Sequence, residues 1–388
     1  VIYRTLGRTG EKVSVLGFGC MRLPVVERQR DRIDLPLATA MVRYAIDHGV
    51  NYFDTAFGYH GSAFDKPGES EVFLGQALQG GLREKVLIAT KLPHWLVKTR
   101  EDMDVILAGQ LERLQTDCID CYLVYGVGGE AWAKVADLGV CEFLDAAKAD
   151  GRIRYAGFSY HDVPAAFSPI VDAYDWDFCQ IQYNYMDVEC QAGAAGLAYA
   201  AGKDLGVVIM EPLRGGRLAG RIPEAVQALW DKAPVKRTPV EWALRFVWDD
   251  PGVSLLLSGM SDMQQVIDNI EIAERAEAGP LTDEELALIG QVREAYQSRT
   301  AVGCTECRYC MPCPENIDIP GVFSTVNSAA LYGDLAADLE LYEMFVGDGR
   351  WARASACVEC GQCEEACPQK IPVIEEMAKA AQLLDAQQ

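Results

Sequence analysis

Short apolar segments alternate with helical segments along residues 1–300 of this 388-residue chain. Eight apolar segments have the length and β-branched content of buried strands: Ser14–Gly19, Asn51–Asp54, Val86–Lys91, Cys121–Tyr125, Tyr155–Ser159, Phe178–Gln182, Val207–Met210 and Ser254–Ser258. The clearest helical segments between them are Leu37–Asp47, Ser70–Leu78, Asp102–Leu114, Val163–Ala173, Ala192–Ala201 and Pro239–Trp248. Because strands that alternate with helices form parallel sheets, eight such units predict an α/β fold, a (β/α)8 TIM barrel.

Two runs of closely spaced cysteines form the second strong pattern. The first run contains Cys304, Cys307, Cys310 and Cys313, and the second contains Cys357, Cys360, Cys363 and Cys367. A proline follows each run directly. The second run has the C-x2-C-x2-C-x3-C-P spacing of bacterial ferredoxins that hold two four-iron clusters. The first run is one residue shorter before its last cysteine.

In the ferredoxin pattern the last cysteine of each run binds the cluster of the other run. We therefore expect two 4Fe-4S clusters, one bound by Cys304, Cys307, Cys310 and Cys367, and the other by Cys357, Cys360, Cys363 and Cys313. Zinc and disulfide bonds are the alternatives, since paired C-x2-C units also bind zinc and the cysteine count of 14 is even. Three thiolates at successive x2 spacing, with a proline after the fourth cysteine, favour cubane clusters.

Length and composition suggest two domains. With 50% hydrophobic residues the chain can bury one large core and still form a second, small domain. We place the barrel at residues 1–298, because a predicted helix at Asp283–Tyr296 would close it. Residues 299–388 would form a mainly helical, ferredoxin-like dicluster domain. The segment Ile317–Arg350 between the cysteine runs is predicted to be helical, with breaks at Gly333 and Gly347.

The charge balance excludes one class of partner. The formal net charge is -22, whereas nucleic-acid binding requires a concentrated basic face. The sequence shows neither an apolar leader nor an apolar run long enough to cross a bilayer. We therefore expect a cytoplasmic protein that binds neither nucleic acid nor membrane.

Polar side chains collect at the C-terminal ends of the predicted strands, where TIM barrels carry their chemistry. They are Asp54, Lys91, Ser159, Gln180 and Glu211, and Tyr59 follows the second strand closely. An acid, a base and a phenol at one face suit proton transfer to a carbonyl oxygen. In that arrangement a lysine would lower the pKa of the phenol and an aspartate would orient the lysine.

Several segments together resemble the aldo-keto reductases, and within them the bacterial branch that carries a C-terminal dicluster domain. They are Tyr3–Gly10, Gly17–Leu23, Asn51–Ala56 with Tyr59, Ala89–Lys91, Gly157–Ser159, Gln180–Asn184 and Glu211–Gly216. The resemblance implies that Asp54, Tyr59 and Lys91 are catalytic. Tyr59 would donate a proton while a nicotinamide coenzyme supplies hydride.

The resemblance also implies a coenzyme site for NADP(H) or NAD(H). Its residues would be Gly19, Met21, Ser159, Gln180, Pro212, Leu213, Gly215, Gly216, Leu218, Gly259, Ser261, Gln265 and Asn269. Ser159 and Gln180 would bind the nicotinamide carboxamide, the loop Pro212–Leu218 would cover the pyrophosphate, and Ser261 would begin a helix at the adenosine phosphate. Asp262 stands where many members have a basic residue for a 2'-phosphate, so NADP(H) is expected only from its frequency in the family.

The fourth strand departs from the family pattern. Members usually end this strand in leucine-leucine-histidine, whereas here it ends in Val124-Tyr125-Gly126. Tyr125 either donates its hydroxyl in place of the histidine or marks an altered reaction, such as reduction of an activated carbon-carbon double bond. His60 and His161, which follow the second and fifth strands, are further candidates for a second donor.

These features predict an NAD(P)H-dependent oxidoreductase that acts on a small-molecule carbonyl, enone or alcohol. Clusters transfer single electrons and nicotinamides transfer hydride. The two clusters therefore either relay electrons, with a ferredoxin or another redox protein as partner, or stabilise the C-terminal domain. A bound flavin would join the two kinds of transfer, but no motif identifies a flavin site. The alternative is a redox-sensing or electron-transfer subunit whose barrel binds nucleotide but is only weakly catalytic.

Overall fold

Strands buried on both faces define the main architecture. The computed structural model describes residues 1–62, 65–220, 222–276, 281–304, 310–347, 349–367 and 369–385. These form two compact units, one of Val1–Gly215 with Thr238–Thr282, the other of Gly216–Arg237 with Asp283–Gln388. The first unit contains the barrel. The domain limits of 298 and 299 stay a prediction.

The first unit begins with an antiparallel pair, β1 (Tyr3–Thr5) and β2 (Lys12–Ser14). In the described part of the chain, eight further parallel strands close into a barrel in the order β10-β3-β4-β5-β6-β7-β8-β9. They are β3 (Leu16–Gly19), β4 (Tyr52–Asp54), β5 (Leu87–Leu92), β6 (Ile119–Val127), β7 (Ile153–Tyr160), β8 (Phe178–Gln182), β9 (Gly206–Met210) and β10 (Leu255–Gly259). The predicted TIM barrel is therefore confirmed, and each predicted strand overlaps one of the eight.

The helices of the first unit follow the strands. They are α1 (Leu35–Asp47), α2 (Glu69–Ala77), α3 (Arg100–Leu114), α4 (Gly129–Asp137), α5 (Val140–Ala149), α6 (Phe167–Asp172), α7 (Gly193–Gly202), α9 (Pro239–Asp249) and α10 (Met263–Glu274). Local signals fix several starts. The Asp34 side chain accepts from Leu37 N at the start of α1, and Thr99 and Asp102 form a capping box at α3.

Successive residues along each barrel strand point alternately into the barrel interior and towards the surrounding helices, as in any closed barrel. Tyr52, Ala89, Leu123 and Val208 belong to a buried cluster inside the barrel, which Leu6 of the β1–β2 hairpin also joins. Neighbouring residues along the same strands belong to the larger cluster between strands and helices. Because Leu6 packs against the first residue of β9, the hairpin lies at the N-terminal end of the barrel. The C-terminal end of the barrel, where TIM barrels carry their active sites, is the opposite end.

The second unit is helical. Its helices are α8 (Glu224–Trp230), α11 (Asp283–Gln297), α12 (Ile319–Tyr332), α13 (Leu335–Gly347), α14 (Gln362–Ala366) and α15 (Val373–Leu384). Gly333 ends α12 with φ +69°, a left-handed conformation that favours glycine, as the sequence predicted. Side chains of α12, α13 and α15 form one core. In the part of the chain that the structure describes, no helix is long and apolar enough to cross a membrane.

Candidate active site

A buried ion pair lies at the centre of the site, at the C-terminal ends of two neighbouring strands. Lys91 Nζ donates to both carboxylate oxygens of Asp54, at 2.8 and 2.7 Å, and to the carbonyl of Thr55 at 2.7 Å. The two charged side chains are 1% and 3% exposed. Since a charge out of water needs a partner, each group holds the other in place. Burial raises the pKa of Asp54, and Lys91 acts in the opposite direction.

Two phenols complete the group of predicted catalytic side chains. Tyr59, in the loop after β4, has its hydroxyl 3.3 Å from Lys91 Nζ. Tyr125, near the end of β6, meets Tyr59 edge to face with the ring centroids 6.4 Å apart. The side chains of Tyr59 and Tyr125 also hydrogen-bond each other. The structure therefore brings Asp54, Tyr59, Lys91 and Tyr125 together.

The protonation of the phenols differs from the expectation. Burial and the Asp54 carboxylate raise the pKa of Tyr59 well above its ordinary value, whereas the hydrogen bond from Tyr125 lowers it. Burial likewise raises the pKa of Tyr125. The expected lowering by Lys91 does not dominate, because Asp54 balances the ammonium charge and the phenol is out of water. Both phenols therefore hold their protons at neutral pH.

Aromatic and histidine side chains surround the phenols. The ring of Trp95 lies 5.2 Å from that of Tyr125. His60 is buried, and its Nδ1 lies 2.8 Å from the carbonyl oxygen of Arg30, which ties the imidazole to a loop. His161 is exposed and lies beside Gly126; desolvation by neighbouring groups lowers its pKa, and Lys91 contributes to the lowering. Of the two histidines proposed as second donors, His161 is the one whose electrostatic environment includes Lys91.

A buried polar network supports the strand that carries Lys91. The Glu71 carboxylate of α2 accepts from Thr90 Oγ1 at 2.6 Å, from Gln110 Nε2 at 2.7 Å and from Arg113 Nε at 2.8 Å. Gln110 Nε2 also donates to the Lys91 carbonyl at 3.0 Å. Glu71 and Gln110 are fully buried. Sequence reasoning missed this network, because its members are spread over α2, β5 and α3.

Ser159 and Gln180, the predicted carboxamide ligands, lie at the ends of β7 and β8. Ser159 Oγ accepts from Gly126 N at 2.7 Å, which leaves its hydroxyl proton to donate. Gln180 is 2% exposed, and its Nε2 lies 3.8 Å from the sulfur of Met210. Among the described residues Gln180 Oε1 has no hydrogen-bond partner. A buried acceptor of this kind fits an amide N–H of a bound carboxamide.

The predicted phosphate-binding glycines follow the last two barrel strands. In the loop after β9, left-handed backbone occurs at Glu211, Arg214 and Gly215. Gly259 ends β10 and pairs with Gly19 of β3. Met21, which follows β3, is 46% exposed. In the loop after β9, Pro212 is buried and Leu213 is half-buried, whereas Gly216 and Leu218 belong to the second compact unit.

The predicted adenosine-phosphate residues are engaged in capping a helix. The Asp262 carboxylate accepts from Gln265 N at 2.9 Å and from Gln265 Nε2 at 2.8 Å at the start of α10. Gln265 Oε1 in turn accepts from Ser261 N at 2.9 Å. Asn269 donates to Ser258 Oγ at 3.1 Å. A carboxylate thus already occupies the position at the N-terminus of α10 that would favour an anion.

Five cysteines line one cavity in the second unit. They are Cys310, Cys313, Cys357, Cys360 and Cys363. This set contains all four thiols predicted to share a cluster. Cys313, Cys357, Cys360, Cys363 and Cys367 are free thiols, which disfavours a disulfide framework for them. Cys304 is half-buried, and Cys307 and Pro368 lie outside the described residues.

The thiols are not arranged around one metal ion. Within the described ranges, no three His, Cys, Asp or Glu side chains form a group that could hold a single ion. In a four-iron cluster each cysteine binds a different iron, so the sulfurs stand farther apart than around zinc. The cysteine spacing therefore remains the basis for favouring clusters over zinc.

The geometry agrees with what comparisons with known proteins find. The Aldo/keto reductase family model matches residues 15–294, and the 4Fe-4S dicluster domain model matches residues 303–371. The chain therefore belongs to the aldo/keto reductase family. It is an oxidoreductase with a (β/α)8 barrel and a C-terminal 4Fe-4S region.

Relatives of several kinds are similar to this chain. "Uncharacterized oxidoreductase YrpG" of Bacillus subtilis is 31% identical over 56% of this chain and 68% of its own length. L-galactose dehydrogenase of Arabidopsis thaliana is 26% identical over 76% of this chain and 96% of its own. The solved structure of aldo-keto reductase AKR11C1 from Bacillus halodurans, in its holo form, is 26% identical, covers 75% of this chain and 95% of its own, and has a TM-score of 0.61.

Proposed function

We propose that the barrel transfers hydride between a nicotinamide coenzyme, NADP(H) or NAD(H), and the carbonyl or alcohol carbon of a small molecule. The observation that carries this proposal is the Asp54–Lys91–Tyr59–Tyr125 group at the C-terminal face of the barrel. Two protonated phenols beside a lysine ammonium, whose charge Asp54 balances, suit transfer of a proton to oxygen.

The coenzyme would be held by residues around this group. Ser159 and Gln180 would bind the carboxamide, and the unpartnered Gln180 Oε1 supports that role. The glycines after β9 and β10 would allow the phosphates to approach the backbone closely. When bound, the coenzyme supplies hydride to the substrate carbon.

In the proposed reaction the protein supplies the proton that the carbonyl oxygen receives. As the carbonyl carbon gains hydride, Tyr59 gives its hydroxyl proton to the carbonyl oxygen, and an alcohol results. The phenolate left on Tyr59 accepts hydrogen bonds from Tyr125 and from Lys91, whose Nζ is 3.3 Å away. Solvent then returns the proton. Tyr125 would therefore do the stabilising work of the absent histidine as a neutral donor.

The substrate class follows from the surroundings and from one relative. Trp95 and Tyr125 offer an aromatic wall, and polar side chains of Gln182 and Gln191 bond each other at 2.9 Å on the same face. The relative named L-galactose dehydrogenase has a sugar substrate by its name. A sugar aldehyde or lactol is therefore the first substrate class to screen, followed by simple aldehydes and enones.

We infer that the C-terminal region binds two 4Fe-4S clusters, with the ligand sets predicted from the cysteine spacing. The five thiols around one cavity support the set that contains Cys313 and Cys357. Electron exchange with the nicotinamide would require a partner such as a ferredoxin or another redox protein. To test electron exchange, anaerobic protein is treated with NADH or NADPH and, separately, with dithionite. Bleaching of the cluster absorbance by the reduced nicotinamide alone would show that electrons pass from the coenzyme to the clusters.

The catalytic proposal is tested by the variant Tyr59→Phe. Removing the hydroxyl deletes the proton donor, and we expect the rate of carbonyl reduction to fall by about 100-fold or more, within the range of general acid catalysis. The oxidation of reduced nicotinamide measures the rate. Tyr199→Phe is the matched control, since Tyr199 lies on α7 and its hydroxyl bonds Asp172. Equal activity of the two variants would refute the role of Tyr59.

A further inference from the structure

TIM barrels commonly bind phosphate at the loops after the seventh and eighth strands. In this barrel those strands are β9 and β10, which are followed by the loop at Gly215 and by Gly259. Arg214 and Gly215, in the loop after β9, have left-handed backbone. A phosphate here would also require a positive side chain.

The side chain of Arg22 lies across both of these positions. A Cβ added to Gly259 would stand 3.1–3.2 Å from the Cβ, Cγ and Cδ atoms of Arg22. A Cβ added to Gly215 would stand 2.9 Å from an Arg22 guanidinium nitrogen. The aliphatic part of Arg22 thus packs over the end of β10, and its charged end reaches the loop after β9. The absence of a side chain at Gly259 leaves room for the aliphatic part of Arg22.

The charge of Arg22 is not used inside the protein. Arg22 is exposed, and it forms no ion pair with any described residue. Arg214, in the same loop, already faces Asp187 at 3.4 Å. The N-terminus of α10 is capped by the Asp262 carboxylate. Among the described residues Arg22 is therefore a cation without a carboxylate partner, in a chain with a formal net charge of -22.

We propose that Arg22 binds the pyrophosphate of the dinucleotide coenzyme. This inference rests on the proposed function and deepens it, since it names a cation for the pyrophosphate of the coenzyme. The planar guanidinium would donate two N–H groups to phosphate oxygens. Because NADH and NADPH share the pyrophosphate, Arg22 contributes equally to the binding of both.

Binding, rather than turnover, tests the proposal. The holoprotein and its Arg22→Met variant are titrated with NADH, NADPH and ADP-ribose, which carries the pyrophosphate but no nicotinamide, and the dissociation constants are measured by calorimetry. We expect Arg22→Met to weaken all three by a similar factor of about 10- to 100-fold, the loss of a charge-assisted hydrogen bond. Arg22→Lys should recover part of the affinity, because it restores the charge without the planar fork.

The control is Arg43→Met, since Arg43 is an exposed arginine on α1. Its affinities should equal those of the wild type. Unchanged binding by Arg22→Met would overturn the proposal, and so would a loss confined to NADPH, which would assign Arg22 to a 2'-phosphate. If the wild type itself binds none of the three probes, the proposed coenzyme function fails together with this inference. Thermal unfolding of each variant excludes a folding defect as the cause.

Discussion

At the residue scale, the site is organised by the burial of Lys91 and Asp54 together. A lone lysine or aspartate at this depth would lose its charge, because desolvation penalises the ionised form. Paired, the two groups hold a fixed geometry through three hydrogen bonds from Lys91. That geometry places an ammonium beside the Tyr59 hydroxyl. The phenol next to it, Tyr125, gives the site its departure from the family pattern.

The pH dependence of carbonyl reduction distinguishes Tyr125 from a histidine as the second donor. Burial raises the pKa of both Tyr59 and Tyr125, so both acids stay protonated until the pH exceeds about 10. The active form is lost as the pH rises through that raised pKa. We therefore expect kcat/KM for reduction to be constant between about pH 6 and about pH 9.

A histidine donor predicts a different profile. Desolvation lowers the pKa of His60 and of His161 below the ordinary value of 6.5. An imidazolium donor would therefore lose its proton in mildly acidic solution, and reduction would already decline below neutral pH. A decline there that disappears in a His161→Gln variant would transfer the second-donor role from Tyr125 to His161.

At the element scale, α2, α3 and β5 are joined by the carboxylate of Glu71. Its hydrogen bonds to Thr90, Gln110 and Arg113 use side chains from three different elements, and Gln110 extends the network to the Lys91 carbonyl. The network thus fixes the backbone of the strand that carries Lys91, the proposed catalytic lysine. Side chains of α2 and α3, outside the barrel, thus help to position Lys91 at the barrel strand β5.

Glu71→Ala should destabilise the protein by about 3 kcal/mol, because it leaves the Arg113 charge and buried donors without their acceptor. Urea unfolding followed by tryptophan fluorescence measures the change as a shift of the midpoint. Glu112→Ala is the control, since Glu112 is exposed on α3. A shift no larger than that of the control would mean that the network contributes little to stability.

At the scale of the whole molecule, the chain combines an aldo/keto reductase barrel with a C-terminal 4Fe-4S region. The cysteines of the two runs are separated by α12 and α13, yet Cys313 of the first run lines the same cavity as Cys357, Cys360 and Cys363 of the second. Folding of the helical segment therefore brings the runs together. Cys310, which is predicted to bind the other cluster, lines this cavity as well, so the exchange of the fourth ligand stays a prediction.

Substitution of Cys313 tests that exchange of ligands. If Cys313 and Cys357 bind one cluster, Cys313→Ser should reduce the bound iron from about eight to about four atoms per chain, and Cys313→Ser/Cys357→Ser should lose no more. Cys304→Ser combined with Cys313→Ser should instead lose both clusters. Iron and sulfide analysis with electron paramagnetic resonance measures these contents. Cys190→Ser, outside the runs, is the control. Equal loss in the two double variants would refute the assignment.

Particular residues show which parts of the fold and of the candidate site could be predicted from the sequence. The spacing of apolar segments predicted the eight strands because burial on both faces leaves a continuous apolar pattern. The polar residues at strand ends predicted the Asp54, Tyr59 and Lys91 group, since parallel strands bring their C-terminal ends to one face. The β1–β2 hairpin, α4 and α5 were missed. Arg22 was passed over beside the predicted Met21, although a basic residue just after a strand end was a usable signal.

What the sequence by itself determined was the barrel, the cysteine motifs and the group of catalytic candidates, because each is encoded in local spacing or in residue types at fixed positions. Only the tertiary structure decided the protonation of Tyr59, the use of Ser261 and Gln265 in a helix cap, and the reach of Arg22 over Gly215 and Gly259. These depend on desolvation and on contacts between residues far apart in the chain. Such contacts are set by packing, and no local pattern records them.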